Sequence, residues 1–380
     1  MQSYKVSGFR SLMGKILTRP ATWVANKFSS APNEAAVYSS LSELYKKIQT
    51  SVEKKEPALL TIDPANDAWI IFSDHHKGKR NGADDFTTNE SCYLAALDYY
   101  NQQHFSYINL GDSEELWENN IFSILKHNTE TFAAERKFIE RNAYYKVYGN
   151  HDSFWRFDPL SAQYLKQMYG KAVKIFGGLI LQINTASGKP LQLFCTHGHQ
   201  GDATSDGNWL SANFVTYIWG PLQSYLRINT NTPAAKDMLK TLHNDIMYKW
   251  SAAQQGMVLI TGHTHQPVFA SLTHLERLLL NHEIAHQKGD WAELQKIEQE
   301  IPKRRNEYAF VNDAFRNMKP SYFNTGCCCY NDGNITGIEI AENTIRLVKW
   351  EIKNNKANRT VAEEMSITNL CDQLHNSHQP

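Results

Sequence analysis

The chain has 380 residues, with 39 basic and 39 acidic side chains and a formal net charge of zero at pH 7. Balanced charge gives no overall field that would attract nucleic acid, so we do not expect a nucleic-acid partner. No apolar run is long enough to cross a bilayer, and the N-terminus lacks the continuous apolar core of a secretory signal. We therefore expect a cytoplasmic protein without a transmembrane segment.

The first thirty-odd residues predict a short basic amphipathic helix. Five basic residues precede the first acid, Glu34, and apolar residues recur at helical spacing from Phe9 to Leu17. Three interpretations stand: packing against the domain, an organelle transit peptide, and peripheral contact of residues 5–27 with an anionic membrane. Residues 1–60 are assigned to an N-terminal helical extension.

Short apolar runs separated by helical segments begin near residue 68. Helix candidates near 87–103 and 122–142 give the order β-α-β-α-β, and two late runs at 335–340 and 345–350 predict a closing hairpin. This pattern predicts a sheet-centred α/β or α+β core. The other predicted strands are 68–72, 105–110, 144–148, 179–183, 191–195 and 257–260.

Two helical insertions interrupt the predicted domain, which we place at 61–355 with a C-terminal tail at 356–380. The first, about 208–250, carries an apolar stripe from Phe214 to Leu226 that either packs in the core or covers an apolar substrate. The second, about 275–310, is charged and helical.

Six cysteines are present without any CxxC pair, and Cys327, Cys328 and Cys329 are adjacent. Adjacent cysteines are poorly placed to pair with one another. We expect buried free thiols in a reducing compartment.

Polar clusters containing Asp, Asn or His follow five of the predicted strands. In open α/β sheets, ligands bind at the carboxyl ends of the strands. Asp, Asn and His are donors to divalent ions of hard to borderline character, so the set predicts a metal site. The clusters are "SDHH" (73–76), "GDSEE" (111–115), "GNHD" (149–152), "THGH" (196–199) and "TGHTH" (261–265).

The spacing within these clusters has a physical reason. Asp74 and His76 are two residues apart, so on an extended segment both side chains point to the same side, whereas His75 points away. His263 and His265 repeat this spacing. A carboxylate has two oxygens and can bridge two ions, which suits Asp112.

The ordered set "DHH", "GD", "GNHD", "HGH" and "GHTH" resembles the calcineurin-like metallophosphoesterase superfamily over about residues 70–270. The resemblance implies a four-layer αββα sandwich with helical insertions and two divalent metal ions, either manganese, iron or zinc. It implies that one ion is held by Asp74, His76, Asp112 and His265, and the second by Asp112, Asn150, His197 and His263.

The resemblance also implies the chemistry, which is hydrolysis of a phosphomonoester or phosphodiester by a metal-bridging hydroxide. His151 would be the general acid, with Asp152 fixing its tautomer. In "HGH" both histidines fit the single family ligand. We assign His197 because it is nearer the strand end, and His199 to a position behind the ligands or facing the substrate.

The substrate is not fixed by the superfamily. Lys77, Lys79 and Arg80 either clasp a second phosphate or carboxylate or form a solvated loop. A lipid-linked pyrophosphatase similar to UDP-2,3-diacylglucosamine diphosphatases is the alternative, but those enzymes usually have Arg where His151 stands. A non-catalytic scaffold would lack ligands, and a nuclease would carry an aromatic-interleaved basic stripe. A general phosphoesterase therefore ranks first.

Overall fold

The computed structural model describes residues 33–50, 58–80, 84–185, 188, 190–201, 237–305, 308, 310–312 and 315–376. The predicted basic helix at the N-terminus and the apolar stripe at 214–226 lie outside these residues. Within the described ranges, no helix is both long and apolar enough to span a membrane.

The helices and strands follow one another along the chain. The helices are α1 (Glu34–Thr50), α2 (Glu90–Gln102), α3 (Ile121–His127), α4 (Thr129–Glu140), α5 (Phe154–Phe157), α6 (Ser161–Tyr169), α7 (Asp237–Ala252), α8 (His274–Lys288), α9 (Trp291–Arg304) and α10 (Ile367–Asn376). The strands are β1 (Leu59–Ile62), β2 (Trp69–Phe72), β3 (Ser106–Leu110), β4 (Tyr144–Val147), β5 (Ile175–Phe176), β6 (Gly178–Ile183), β7 (Leu191–Thr196), β8 (Met257–Thr261), β9 (Val268–Phe269), β10 (Leu272–Thr273), β11 (Tyr322–Asn324), β12 (Ile335–Ala341), β13 (Thr344–Lys353) and β14 (Lys356–Ser366).

The described strands form two seven-stranded sheets. Sheet A has the order β1-β6-β7-β8-β11-β9-β10, and sheet B has the order β14-β13-β12-β2-β3-β4-β5. In sheet B, β2, β3 and β4 are parallel and are connected through α2, α3 and α4, which confirms the predicted β-α-β-α-β order. In sheet A, β7, β8 and β11 are parallel. Parallel strands bring their carboxyl ends to one edge.

The two sheets pack face to face because side chains alternate along each strand. Ile71 of sheet B and Val258 of sheet A point into the core between the sheets. Phe72 points to the opposite face, against α2 and α4. Phe194 of sheet A points outward against α1 and α7. The result is an αββα arrangement, which confirms the predicted fold class.

Residues 356–366, predicted as part of a C-terminal tail, belong to sheet B. They form β14, which pairs with β13 along its whole length, and α10 then inserts Leu370 and Leu374 between the sheets. The side chains of β14 are mostly exposed, so its sequence has no apolar run that would predict a strand.

The two predicted helical insertions differ in how they are placed in the structure. The charged segment forms the antiparallel pair α8 and α9, and α8 begins with a capping box between Thr273 and Glu276. Of the first predicted insertion, the described part forms α7. This helix buries Ile246 and Trp250 against sheet A, so it belongs to an outer layer of the domain.

Candidate metal centre

The seven predicted ligands converge where β2, β3 and β4 of sheet B and β7 and β8 of sheet A end. Six of them are at most 6% exposed, and only His265 is partly accessible. Nε2 of His197 lies 3.0 Å from Asp112 Oδ2 and 4.0 Å from Asp74 Oδ1. Nε2 of His265 lies 3.2 Å from Asp74 Oδ1, and Nε2 of His76 lies 3.9 Å from Asp112 Oδ2. Asp112 therefore lies between two groups of histidines.

Five of these ligands have a left-handed backbone, with φ between 48° and 69°. They are Asp74, His76, Asp112, His263 and His265. This conformation costs a residue with a side chain roughly 1–2 kcal/mol, and residues in sparsely populated conformations cluster at functional sites. Hydrogen bonds between the loops hold it, because His76 N donates to Asp112 O at 3.0 Å and His263 N donates to Asp74 Oδ2 at 2.9 Å.

Two glycines allow the carboxylates to approach the backbone. A Cβ at Gly149 would overlap the Asp112 carboxylate, and one at Gly262 would overlap that of Asp74. A Cβ would also meet the backbone nitrogen of Asp112 at Gly149 and the Ser73 side chain at Gly262, so no larger residue fits at either position unless these groups move.

The donor atoms are arranged as a metal ion would need them. Of the fourteen buried side-chain atoms without a hydrogen-bond partner in the described residues, five belong to predicted ligands: Oδ1 of Asn150 and Nε2 of His76, His197, His263 and His265. The nitrogens of His197 and His265 face only the carboxylate oxygens of Asp112 and Asp74. Nearly all buried polar atoms in proteins are paired, so five unpaired ones in one cluster require an explanation. Nitrogen and oxygen donors of this kind are ligands of divalent ions, and the buried groups of His and Asp could hold such ions.

The opposite ring nitrogens are held in place. Nδ1 of His197 donates to the carbonyl of Leu110 at 2.9 Å, and Nδ1 of His76 lies 2.8 Å from Glu115 Oε2. This arrangement leaves each Nε2 lone pair for a ligand bond, as in most metal sites with histidine.

Electrostatics favour the deprotonated forms at two ligands. Burial raises the pKa of Asp112, but the imidazoles of His197 and His151 outweigh it and hold the pKa well below its usual range. Burial and the neighbouring rings of His243 and His197 hold the pKa of His263 well below its usual range, so this ring is neutral. For His197, burial lowers the pKa, but Asp112 and Asp74 outweigh it and raise the pKa to about 9. An ion that binds His197 therefore displaces a proton.

His151 lies beside the ligands, on the accessible side. Its backbone N–H donates to Asp112 Oδ1 at 2.8 Å, its ring Nδ1 lies 2.8 Å from Glu115 Oε2, and its side chain is 19% exposed. The ring of Trp117 stacks on it, with centroids 4.0 Å apart and planes inclined by 22°. The ring is thus fixed through Nδ1 and one face.

The predicted contact between Asp152 and the His151 ring is wrong. Asp152 accepts hydrogen bonds from the backbone N–H groups of Gly149 at 2.6 Å and Ser113 at 2.9 Å. Both N–H groups belong to turns that surround the carboxylate, and they occupy its oxygens. Asp152 therefore fixes the turn that carries His151, and Glu115 holds the ring.

The predicted substrate residues are not brought together. Lys77 is fully buried, with Nζ 2.6 Å from Glu135 Oε1, so the prediction that it clasps a substrate is wrong. Arg80 donates from Nε to the carbonyl of His127 and pairs with Glu90, while Lys79 is exposed.

Two further histidines in the motifs are buried away from solvent. His199 lies beside Tyr148, with ring centroids 5.6 Å apart, and burial lowers its pKa to about 3. It therefore occupies the position behind the ligands. His75 packs against Phe86 and Tyr93, on the side of sheet B that faces α2, in agreement with the choice of His76.

Sequence reasoning missed three residues that contact the site. Glu115 and Trp117 follow the "GD" motif directly, so an acid three residues after Asp112 was a usable signal. His243 comes from α7, where its Nε2–H donates to the carbonyl of Gly198 at 2.8 Å and its ring lies 5.1 Å from that of His263. No local pattern marked it.

No protein-family model matches this chain, and no curated protein matches it. Solved structures that are similar to it include Vacuolar Protein Sorting 29 from Cryptosporidium parvum, at 12% identity and a TM-score of 0.30, over 79% of this chain and 98% of that one. A single mutant of Vps29 from Entamoeba histolytica is similar at 12% identity and a TM-score of 0.29, over 78% of this chain and 99% of that one. Scores at this level carry no inference about activity.

Proposed function

We propose that this protein is a phosphoesterase of the calcineurin-like metallophosphoesterase superfamily that hydrolyses a phosphomonoester or phosphodiester with two divalent metal ions. The observation that carries the proposal is the cluster of five buried, unpaired donor atoms beside the carboxylates of Asp74 and Asp112. One ion would be held by Asp74, His76, Asp112 and His265, and the other by Asp112, Asn150, His197 and His263. When bound, the two ions would neutralise phosphate oxygens and lower the pKa of water.

His151 is the residue best placed to protonate the leaving group. Burial lowers its pKa, but the carboxylates of Glu115 and Asp112 outweigh this effect and raise the pKa to about 9. Because Nδ1 is held by Glu115, Nε2 is the nitrogen that can give a proton to a leaving oxygen. A proton donor of this kind typically contributes about 10²–10⁴ in rate.

A scaffold without ions explains the site less well. Such a protein would have no reason to keep Asp and His in strained, left-handed conformations around unpaired donor atoms. A lipid-linked pyrophosphate is not favoured as the substrate, because His151 stands where UDP-2,3-diacylglucosamine diphosphatases usually have Arg and because Lys77 is buried.

The test combines metal analysis with a substrate panel. The purified protein should bind two divalent ions and hydrolyse p-nitrophenyl phosphate or bis-p-nitrophenyl phosphate. His151→Ala should keep both ions and lose about 10²–10⁴ of kcat. His282→Ala, on the surface of α8, is the matched control and should change neither quantity.

Each failure has a distinct meaning. Loss of an ion from His151→Ala would make this residue a ligand and would refute its role as the acid. A wild-type protein that binds no divalent ion at any concentration tested would overturn the proposed function.

A further inference from the structure

The segment after β11, residues 325–330, lies across the loops that carry the predicted metal ligands. Hydrogen bonds tie it to both loops: the backbone N–H of Cys328 donates to the carbonyl of Asp74 at 3.1 Å, and the Tyr330 hydroxyl donates to the carbonyl of His265 at 3.2 Å. The three cysteines of this segment therefore have fixed positions beside the site.

Neighbouring cysteines in this segment have different surroundings. Cys328 belongs to the hydrophobic cluster between sheet B and α2. Cys329 is 8% exposed, and its Sγ lies 3.7 Å from Nδ1 of His265. His76, His265 and Cys329 each offer one donor atom, and these atoms lie within 4.8 Å of one another. The thiol of Cys329 is thus part of the surroundings of the centre.

The position of the Cys329 thiol beside Nδ1 of His265 indicates the role of this thiol. Nε2 of His265 faces Asp74 at 3.2 Å and has no hydrogen-bond partner, so Nε2 is the ligand nitrogen. Nδ1, on the same ring, must then carry the proton and needs an acceptor. For His197 the acceptor is a backbone carbonyl and for His76 it is Glu115, but for His265 the thiol of Cys329 occupies that place. The thiol of Cys327 also interacts with the His265 ring and with the Cys329 thiol.

We propose that Cys329 is a positioning residue for His265: its sulfur accepts the Nδ1–H bond and aims Nε2 at the ion shared with Asp74 and His76. The inference rests on the proposed metal centre but does not depend on the substrate. His265 needs this support most, since its side chain is 19% exposed, compared with 8% for His76 and 0% for His197.

A sulfur is a weaker acceptor than the carboxylate or carbonyl behind the other two histidines. The ion at this position should therefore be the more readily lost of the two. Removal of a partner behind a metal-bound histidine typically weakens metal binding about 10–100-fold, and here only one of the two ions should be affected.

The experiment measures metal binding by the full chain, with manganese or zinc titrated into the metal-free protein by calorimetry. Cys329→Ala should weaken one of two binding steps by about 10–100-fold and leave the other within threefold. Cys329→Ser keeps an acceptor and should stay within threefold of wild type in both steps. Cys328→Ala removes the adjacent buried thiol that faces the core and is the matched control, with both steps unchanged.

Two results would overturn the proposal. One is wild-type affinity at both steps in Cys329→Ala, with its fold checked by circular dichroism. The other is a thiolate-to-metal charge-transfer band in the cobalt-substituted wild type that disappears in Cys329→Ser, because it would make the sulfur a ligand. Absence of any metal binding by the wild type would instead refute the proposed function, so the two failures are distinguishable.

Discussion

Glu135 of α4 anchors a fully buried cluster of charges behind the predicted metal ligands. Its Oε1 lies 2.6 Å from Nζ of Lys77 and accepts from the Tyr93 hydroxyl at 2.9 Å, while Oε2 accepts from the Tyr169 hydroxyl at 2.6 Å. Lys77 also lies 3.4 Å from Glu114, and all of these side chains are inaccessible to solvent. We expect Glu135→Ala to be severely destabilising, because it leaves Lys77 short of a counter-charge.

The size of the effect follows from these contacts. Breaking a buried ion pair by removing one partner costs about 3–5 kcal/mol. Three tyrosines, Tyr93, Tyr144 and Tyr169, also lose an acceptor. The Tyr93 hydroxyl keeps its hydrogen bond with the Tyr107 hydroxyl at 2.7 Å, and Lys77 keeps Glu114 as a counter-charge. We therefore expect the free energy of unfolding to fall by about 3–5 kcal/mol rather than by the sum of all contacts.

Urea unfolding followed by tryptophan fluorescence measures this loss. Glu140→Ala, at the exposed end of the same helix, is the matched control and should stay within about 0.5 kcal/mol of wild type. The double variant Lys77→Met/Glu135→Leu should recover most of the loss, because it removes both charges and keeps the volume. A loss below about 1 kcal/mol in Glu135→Ala would refute the view that this carboxylate compensates a buried ammonium group.

Three further substitutions test the surroundings of the site. Gly149→Ala places a methyl group against the Asp112 carboxylate, so divalent ions should bind at least about tenfold more weakly by calorimetry, and unchanged affinity would contradict the close approach. Glu115→Gln removes the charge that holds the rings of His151 and His76. A charged hydrogen bond is worth about 1.5–3 kcal/mol, so kcat/KM at saturating metal should fall about 10- to 150-fold while the protein stays folded. Burial raises the pKa of Glu114, but two buried lysines outweigh it and lower the pKa from 4.5 to about 2. The depressed value means that this carboxylate stabilises the fold above about pH 4.5 and that the stabilisation is lost as the pH falls towards about 2. The urea midpoint of Glu114→Gln should therefore change less than that of wild type between pH 5 and pH 3, and an equal change would contradict the assignment.

The sequence predicted those strands and ligands that a contiguous run of residues marks. The parallel strands β2, β3 and β4 are short apolar runs, and the polar cluster that follows each one is contiguous in sequence. Because parallel strands end at one edge, the pattern predicted that Asp74, Asp112 and Asn150 lie close together, and the structure brings them together.

The errors arose where a long-range contact decides the outcome. The segment "HHKGKR" has the composition of a solvated basic loop, but Lys77 is buried because Glu135, 58 residues later, supplies its counter-charge. The choice between Asp152 and Glu115 as the partner of His151 depends on side-chain directions in two loops from different strands. The family resemblance implied the adjacent Asp152, whereas the fold uses Glu115.

Asp and His, rather than Gly, occupy the five left-handed backbone positions of the site. Five left-handed positions with a side chain represent a cost of several kcal/mol against a typical net stability of 5–15 kcal/mol. Glycine would remove most of that cost, and buried apolar side chains would remove the unpaired donor atoms. Neither replacement would supply an imidazole nitrogen or a carboxylate oxygen at the edge where the two sheets meet. Asp and His at these positions are thus explained by donor chemistry, since conformational preference and burial both oppose them.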